Sequence, residues 1–190
     1  MLSLQDRNWR QFQAFGTEGL FDIHTTSSSI DSIRLIEGGN TVLPYVTRTD
    51  KNNGITRFVS DKNSSFGIDK AGTITVGLDT QTAFWQPHDY VTGQNIQVVS
   101  ADVLTNPHVS AFVIPLLKMQ MRAKFNWGGN GATLSRMKTL RIMLPTDMLG
   151  EPDWKFMEDY IRERETAQVE RCREFLMKRI ADIERERESN

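Results

Sequence analysis

The chain predicts an α+β fold: a twisted, mostly antiparallel sheet with flanking helices, followed by one long helix of coiled-coil type. Three observations carry this. Runs of β-branched and aromatic residues broken by turn residues recur between residues 43 and 99, as a half-buried sheet requires. A capped helix start follows at Asn106-Pro107. Residues 153–188 then hold 20 charged side chains among 36 and neither Gly nor Pro. We divide the chain into a globular unit over residues 1–150 and a helical unit over 151–190, with the boundary at Asp147 to Asp153, where Gly150 and Pro152 fall.

In order, Trp9, Phe12 and Phe15 recur at helical spacing and predict a short amphipathic entry segment. Leu20-Phe21-Asp22-Ile23 alternates as a strand does. The Ser/Thr cluster from Thr25 to Ser29 can cap a helix carrying Ile30, Ile33 and Ile36, ended by Gly38-Gly39-Asn40. Leu43 to Thr47 and Ile55 to Val59 read as strands joined by a hairpin, because Asn53-Gly54 supplies the positive φ that a tight connection needs. Gly72 to Leu78, Ala83 to Gln86 and Asn95 to Val99 read as three more strands. From Pro107 a helix presents Phe112, Leu116, Met119 and Ala123 as its apolar stripe. Pro115 must kink or split it. Leu140 to Leu144 closes the domain as a strand. In the last helix Trp154, Met157 and Ile161 form one stripe. Val169, Leu176, Ile180 and Ile183 follow a coiled-coil seam that Arg173 interrupts. A charged rod with so narrow a stripe wants another helix, in a partner or a second copy; the other reading folds it back on its own domain. Cys172 is read as a small packing residue.

Composition bounds the function. With 190 residues, 38% hydrophobic and 25% charged, the chain is long enough for a real core. One Cys and three scattered His give neither a disulfide framework nor metal-ligand spacing, so no metal and no cofactor is expected. No apolar run is long enough to span a bilayer and the first residues lack a signal-peptide core, so the expectation is a cytoplasmic chain with no membrane partner. No phosphate loop, dinucleotide fingerprint or nucleophile elbow is present. Asn106-Pro107-His108-Val109 lacks the second proline and the stacking aromatic of an adenine-methyltransferase motif. The chain is read as no enzyme.

The net charge of −1 hides an asymmetry. Residues 103–146 carry six basic side chains, Lys118, Arg122, Lys124, Arg136, Lys138 and Arg141, and no acidic one. They surround Phe125-Asn126-Trp127-Gly128-Gly129-Asn130-Gly131, a loop whose glycines allow close backbone approach. A single-sign patch around such a loop suits a polyanion, although the same residues also fit a helix, turn and strand whose lysines are simply solvated. A second polar cluster, Arg48, Thr49, Lys51 and Asn52, crowds the hairpin tip. Arg and Asn pair bidentately with guanine and adenine edges, which makes the tip a candidate base-reading loop.

The ordered series Trp9, Phe12, Leu20 to Ile23, Leu43-Pro44-Tyr45-Val46-Thr47-Arg48-Thr49, Asn52-Asn53-Gly54-Ile55, Gly72 to Gly77, Thr92-Gly93-Gln94-Asn95-Ile96, Lys124 to Gly131 and Leu140 to Pro145 resembles the target-recognition domain of specificity subunits from type I and related restriction-modification systems. The resemblance covers nearly the whole chain and lies in order and spacing. It implies a domain that reads one half of a split site in double-stranded DNA. Long helices set the spacing between halves, and a DNA methyltransferase subunit, with or without a restriction subunit, supplies the chemistry. Full specificity subunits have two recognition domains and two helical spacers, so the chain looks like a half-subunit, working as a homodimer. From the acid-free segment and the two polar loops, Lys118, Arg122, Lys124, Arg136 and Lys138 are assigned to phosphates, and Arg48, Thr49, Asn52, Asn126, Trp127 and Asn130 to reading base edges or wedging a groove, with Lys51 beside them. Met157, Ile161, Val169, Leu176, Ile180 and Ile183 are assigned to the partner helix. The alternative is a non-catalytic protein–protein adaptor that uses the helix without reading DNA.

Overall fold

The computed structural model describes residues 1–125 and 131–188. Strand β1 (Asn8–Gln13) pairs antiparallel with β9 (Arg141–Thr146), so the two ends of the globular unit close on each other with Trp9 opposite Pro145 and Phe12 opposite Ile142. A four-stranded antiparallel sheet runs in the order β2 (Asp22–Thr25), β8 (Ile96–Ser100), β5 (Thr73–Gly77), β6 (Thr82–Gln86). A third sheet places β3 (Thr41–Val46) between β4 (Ile55–Ser60), antiparallel, and the short β7 (Val91–Thr92), parallel. Antiparallel pairing dominates, as the sequence predicts, but it is shared among three small sheets rather than one.

Helix α1 (Pro107–Lys124) is capped by Asn106, whose side-chain oxygen accepts from the His108 and Val109 amides. It buries Val109, Phe112, Val113, Leu117 and Met121. The apolar face is therefore turned from the predicted one: Phe112 is in it, while Met119 is 64% exposed and Ala123 is also exposed. The helix also passes unbroken through Pro115. Pro115 and Ala111, whose carbonyl loses its hydrogen bond to the ring, both lie on the exposed side, where water can take up that carbonyl.

Two further expectations give way to tertiary contacts. Trp9 and Phe12 lie in strand β1, with Phe15 just past its end, and not in a helix, because β9 offers a ladder from the far end of the chain. The segment carrying Ile30, Ile33 and Ile36 forms only a short 3-10 turn at Ser32–Arg34. Ile30 is buried with its amide donating to the Thr92 carbonyl, whereas Ile33 is 87% exposed.

A four-residue turn of helix, α2 (Leu134–Met137), capped by Thr133, precedes β9. Helix α3 (Trp154–Glu188) is unbroken for 35 residues, about 50 Å at ~1.5 Å per residue. Its first turns belong to the core. Phe156 and Met157 are buried, and Trp154, Tyr160 and Ile161 pack against the main hydrophobic cluster. Phe112 of α1 meets Tyr160 edge-on at 5.9 Å, and the Trp9 ring lies 6.2 Å from Phe112 on a near-parallel plane. Arg7 pairs with Asp153 at 2.8 Å and covers the Phe156 ring. The Leu2 amide donates to Glu163, and this bond is the main reason that the Glu163 carboxyl titrates below its usual range. From Gln168 to Ala181 every residue is exposed, Cys172 included, so among the described residues Cys172 is not part of the core. The two readings of the helix thus divide along its length: a docked base and a bare rod.

Truncating Met157 leaves a void that well-packed neighbours cannot fill. Met157→Ala is expected to lower the unfolding free energy by about 2–5 kcal/mol, measured by denaturant titration, with no dependence of the loss on protein concentration.

Candidate nucleic-acid interface

The β3–β4 hairpin carries the polar tip. Asn52, Asn53 and Gly54 take φ of 50°, 56° and 78°, a left-handed run that Asn and Gly adopt at low cost. Side-chain amides hold it on β6: Asn53 Nδ2 donates to the Trp85 carbonyl at 2.8 Å, and Gln86 Nε2 donates to the Asn53 carbonyl at 3.1 Å. A Cβ on Gly54 would stand 3.2 Å from the Phe84 ring. Arg48, Lys51 and Asn52 stay exposed on this anchored frame, and Thr49 Oγ1 accepts the Lys51 amide at 3.3 Å.

Arg48 is already paired. Its Nη1 donates to Asp79 Oδ2, in the turn after β5, and the same oxygen accepts Asn95 Nδ2 at 3.1 Å. Arg48, Thr49, Asp50, Asp79, Thr80, Gln81 and Phe125 line an open cleft of about 550 Å³. Gln81 has a left-handed backbone (φ 54°) and its Nε2 donates to the Phe125 carbonyl at 2.8 Å, which ties this turn to the end of α1. Arg48 also lines a cleft of about 420 Å³ with Asp31, Tyr45, Thr47, Arg57 and Gln94. There the Tyr45 hydroxyl donates to the Ile30 carbonyl at 2.8 Å. Burial, then the charge of Asp31, pushes its pKa up against the opposing effect of Arg57, so the phenol stays neutral.

The basic residues of α1 reach the same end. Lys118 Nζ lies 5.7 Å from the centre of the Phe84 ring, against which Gly54 also packs, and Arg122 is exposed one turn further on. Lys124 Nζ donates to the Thr139 carbonyl at 3.0 Å and Arg136 Nη1 to the Gly131 carbonyl at 2.8 Å, while Lys138 is exposed just past α2. Asn126, Trp127 and Asn130 lie outside the described residues. Of the helix positions, Met157 is fully covered and Ile161 packs on the same core, whereas Val169, Leu176, Ile180 and Ile183 are exposed by 60%, 52%, 49% and 43%.

The polar hairpin tip, the turn after β5 and Phe125, which caps the end of α1, therefore share one cleft on an α+β frame. The type I restriction modification DNA specificity domain matches residues 10–171, most of the chain. The chain belongs to that family. It is 31% identical over 177 residues to the type II restriction enzyme specificity subunit S.BcgI of Heyndrickxia coagulans, a match that covers 90% of this chain and 48% of that protein. The fold is similar to that of the type I S subunit from M. genitalium (TM-score 0.54, 15% identity, 78% of this chain and 37% of that one). It is also similar to the HsdS subunit from Thermoanaerobacter tengcongensis (TM-score 0.52, 14% identity, 86% and 39%). The chain thus spans about half the length of the curated relative. Among the described residues no helix is long and apolar enough to cross a membrane.

Sequence reasoning about this specificity domain missed Asp79, Gln81 and Asn95. Asp79 looks like a solvated turn residue, and the contact that matters crosses from one hairpin to another. The left-handed backbone at Gln81 and Asn95 has no composition signal as strong as Asn-Gly, although both sit at polar turn tips.

Asn53→Ala removes the bond to the Trp85 carbonyl and forces a Cβ-branched-free but less tolerant residue into the left-handed region. It is expected to cost about 1–2 kcal/mol and to raise amide hydrogen exchange over residues 48–54, while exchange in β5 and β8 stays unchanged.

Proposed function

We propose that this chain is the DNA-reading half of a restriction-modification specificity subunit. The observation that carries the reading is the meeting at Phe84 and Phe125 of the anchored hairpin tip with the basic end of α1, in a chain of the DNA specificity domain family. Lys118, Arg122, Lys124, Arg136 and Lys138 hold phosphates and set register. Arg48, Thr49, Lys51 and Asn52, with Asn126, Trp127 and Asn130, face base edges or the groove. The globular unit over residues 1–150 is the reader. The helical unit over 151–190 is the spacer, whose docked base sets its direction and whose exposed seam pairs with the same seam of a second copy. Burying each of Val169, Leu176, Ile180 and Ile183 contributes about 1.5–3 kcal/mol, which a lone rod forgoes. A two-fold pair of such chains reads an inverted, split site. The methyl transfer belongs to a DNA methyltransferase subunit docked on the assembly, and this chain supplies no catalytic group.

Enrichment from a randomised DNA duplex pool, with the chain alone and with a candidate methyltransferase subunit, is expected to recover an inverted, split motif. Arg48→Ala and Asn52→Ala each change the preferred base at one position by ~1–3 kcal/mol, whereas Lys118→Ala and Arg122→Ala weaken binding to all sequences and flatten the salt dependence by about one ion each. No enrichment under either condition would favour a protein–protein adaptor that uses α3 alone.

Replacing Leu176 and Ile180 together with Gln is expected to give monomers by light scattering at concentrations where the unaltered chain is a dimer. An unchanged mass would remove the paired-helix arrangement and leave the reading domain untouched.

A further inference from the structure

Arg48 and Asp79 come from different hairpins, and nothing local to either obliges them to meet. Both stay open to solvent, with 45% of the Arg48 side chain and 32% of the Asp79 side chain exposed, on the wall of the larger cleft. One carboxylate oxygen of Asp79 takes both the Arg48 Nη1 donor and the Asn95 amide. Asp79 therefore fixes the direction in which the guanidinium points, and Asn95 fixes Asp79. With one nitrogen engaged, the guanidinium still has donors on Nε and Nη2, which can form the fork that fits the O6 and N7 acceptors of guanine. The carboxylate has a second effect. It places a negative charge beside the cation, so a phosphate that would otherwise bind any exposed Arg meets repulsion at this point, while the uncharged acceptors of a base edge do not.

We propose that Asp79 is a positioning residue for specificity: it holds Arg48 for a guanine edge and turns it away from the DNA backbone. This rests on the reading of the domain as a DNA reader. It adds that one acidic side chain in the basic interface raises discrimination at the expense of general affinity. Asp50, on the same cleft wall, adds to the repulsion of phosphate with no hydrogen bond or ion pair to Arg48 among the described residues.

The test uses the full chain with the duplex it enriches, every single-base variant of that duplex, and a scrambled duplex, with affinities read by fluorescence anisotropy at fixed salt. Asp79→Asn keeps the shape and removes the charge. It is expected to lose roughly 5- to 150-fold of preference at one position, that at which Arg48→Ala also loses preference, while binding to the scrambled duplex tightens severalfold. Asp79→Glu restores the carboxylate and recovers most of the preference. In the Arg48→Ala background the further change Asp79→Asn has no effect on preference. A uniform loss of affinity for all duplexes, or an unchanged preference in Asp79→Asn, overturns the proposal. So does a change in preference that persists without Arg48, which would make Asp79 itself the reader of an amino-bearing base. Failure of the unaltered chain to distinguish any duplex from the scrambled one would instead remove the DNA-reading function, and this role with it.

Discussion

The buried stripe of α1, Val109, Phe112, Val113, Leu117 and Met121, is the contact on which the rest of the architecture depends. It lies between the four-stranded sheet on one side and the base of α3 on the other, and it is the part of the core that both must share. Rings supply much of that packing, with Phe112 touching Trp9 and Tyr160 at once. Such aromatic contacts bury large areas and constrain orientation. The sheet could not be covered, nor the last helix aimed, without them.

The two ends of the same helix meet different parts of the structure. At its C-terminal end are Lys118, Arg122 and Phe125, tied to the hairpin tip through Phe84 and Gln81. At its N-terminal end His108 meets Glu165 at 2.9 Å, the last hydrogen bond of α3 to the domain among the described residues before the rod becomes bare. Tyr160 on Phe112 followed by Glu165 on His108 means that α3 runs antiparallel to α1, so the rod departs past the end opposite the cleft. A rigid helix of 18 residues, about 27 Å at ~1.5 Å per residue, thus holds a polar, cleft-lined face and an apolar seam apart from each other.

The cleft shows why charge alone is a poor guide to such a face. The segment from Val103 to Thr146 has no acidic residue, yet the structure puts Asp50 and Asp79 among the walls at its end. Two carboxylates thus share that wall with the Arg48 cation, and one of them pairs with it. The backbone around them is equally shaped by the fold. Asn52, Asn53, Gln81 and Asn95, all left-handed, hold three turns in position, and side-chain amides from these turns donate to Trp85, Phe125 and Asp79.

Local chemistry by itself determined the elements whose cause is local. Asn53-Gly54 turned the β3–β4 hairpin because few other pairs accept positive φ, Asn106-Pro107 started α1 because the cap and the ring serve the first turn, and the last helix followed from a long stretch without Gly or Pro. The order of weak motifs also made the family legible before any coordinates. Only the tertiary structure decided the remainder. Trp9 and Phe12 became strand because β9 lay beside them, and Met157 and Ile161 went to the core while Leu176 and Ile180 did not, although all four share one helix pattern. Asp79 came to face Arg48 because β5 is a central strand of its sheet and its turn reaches the neighbouring hairpin. In each case the deciding energy is a contact between residues far apart in the chain, which periodicity and spacing cannot register.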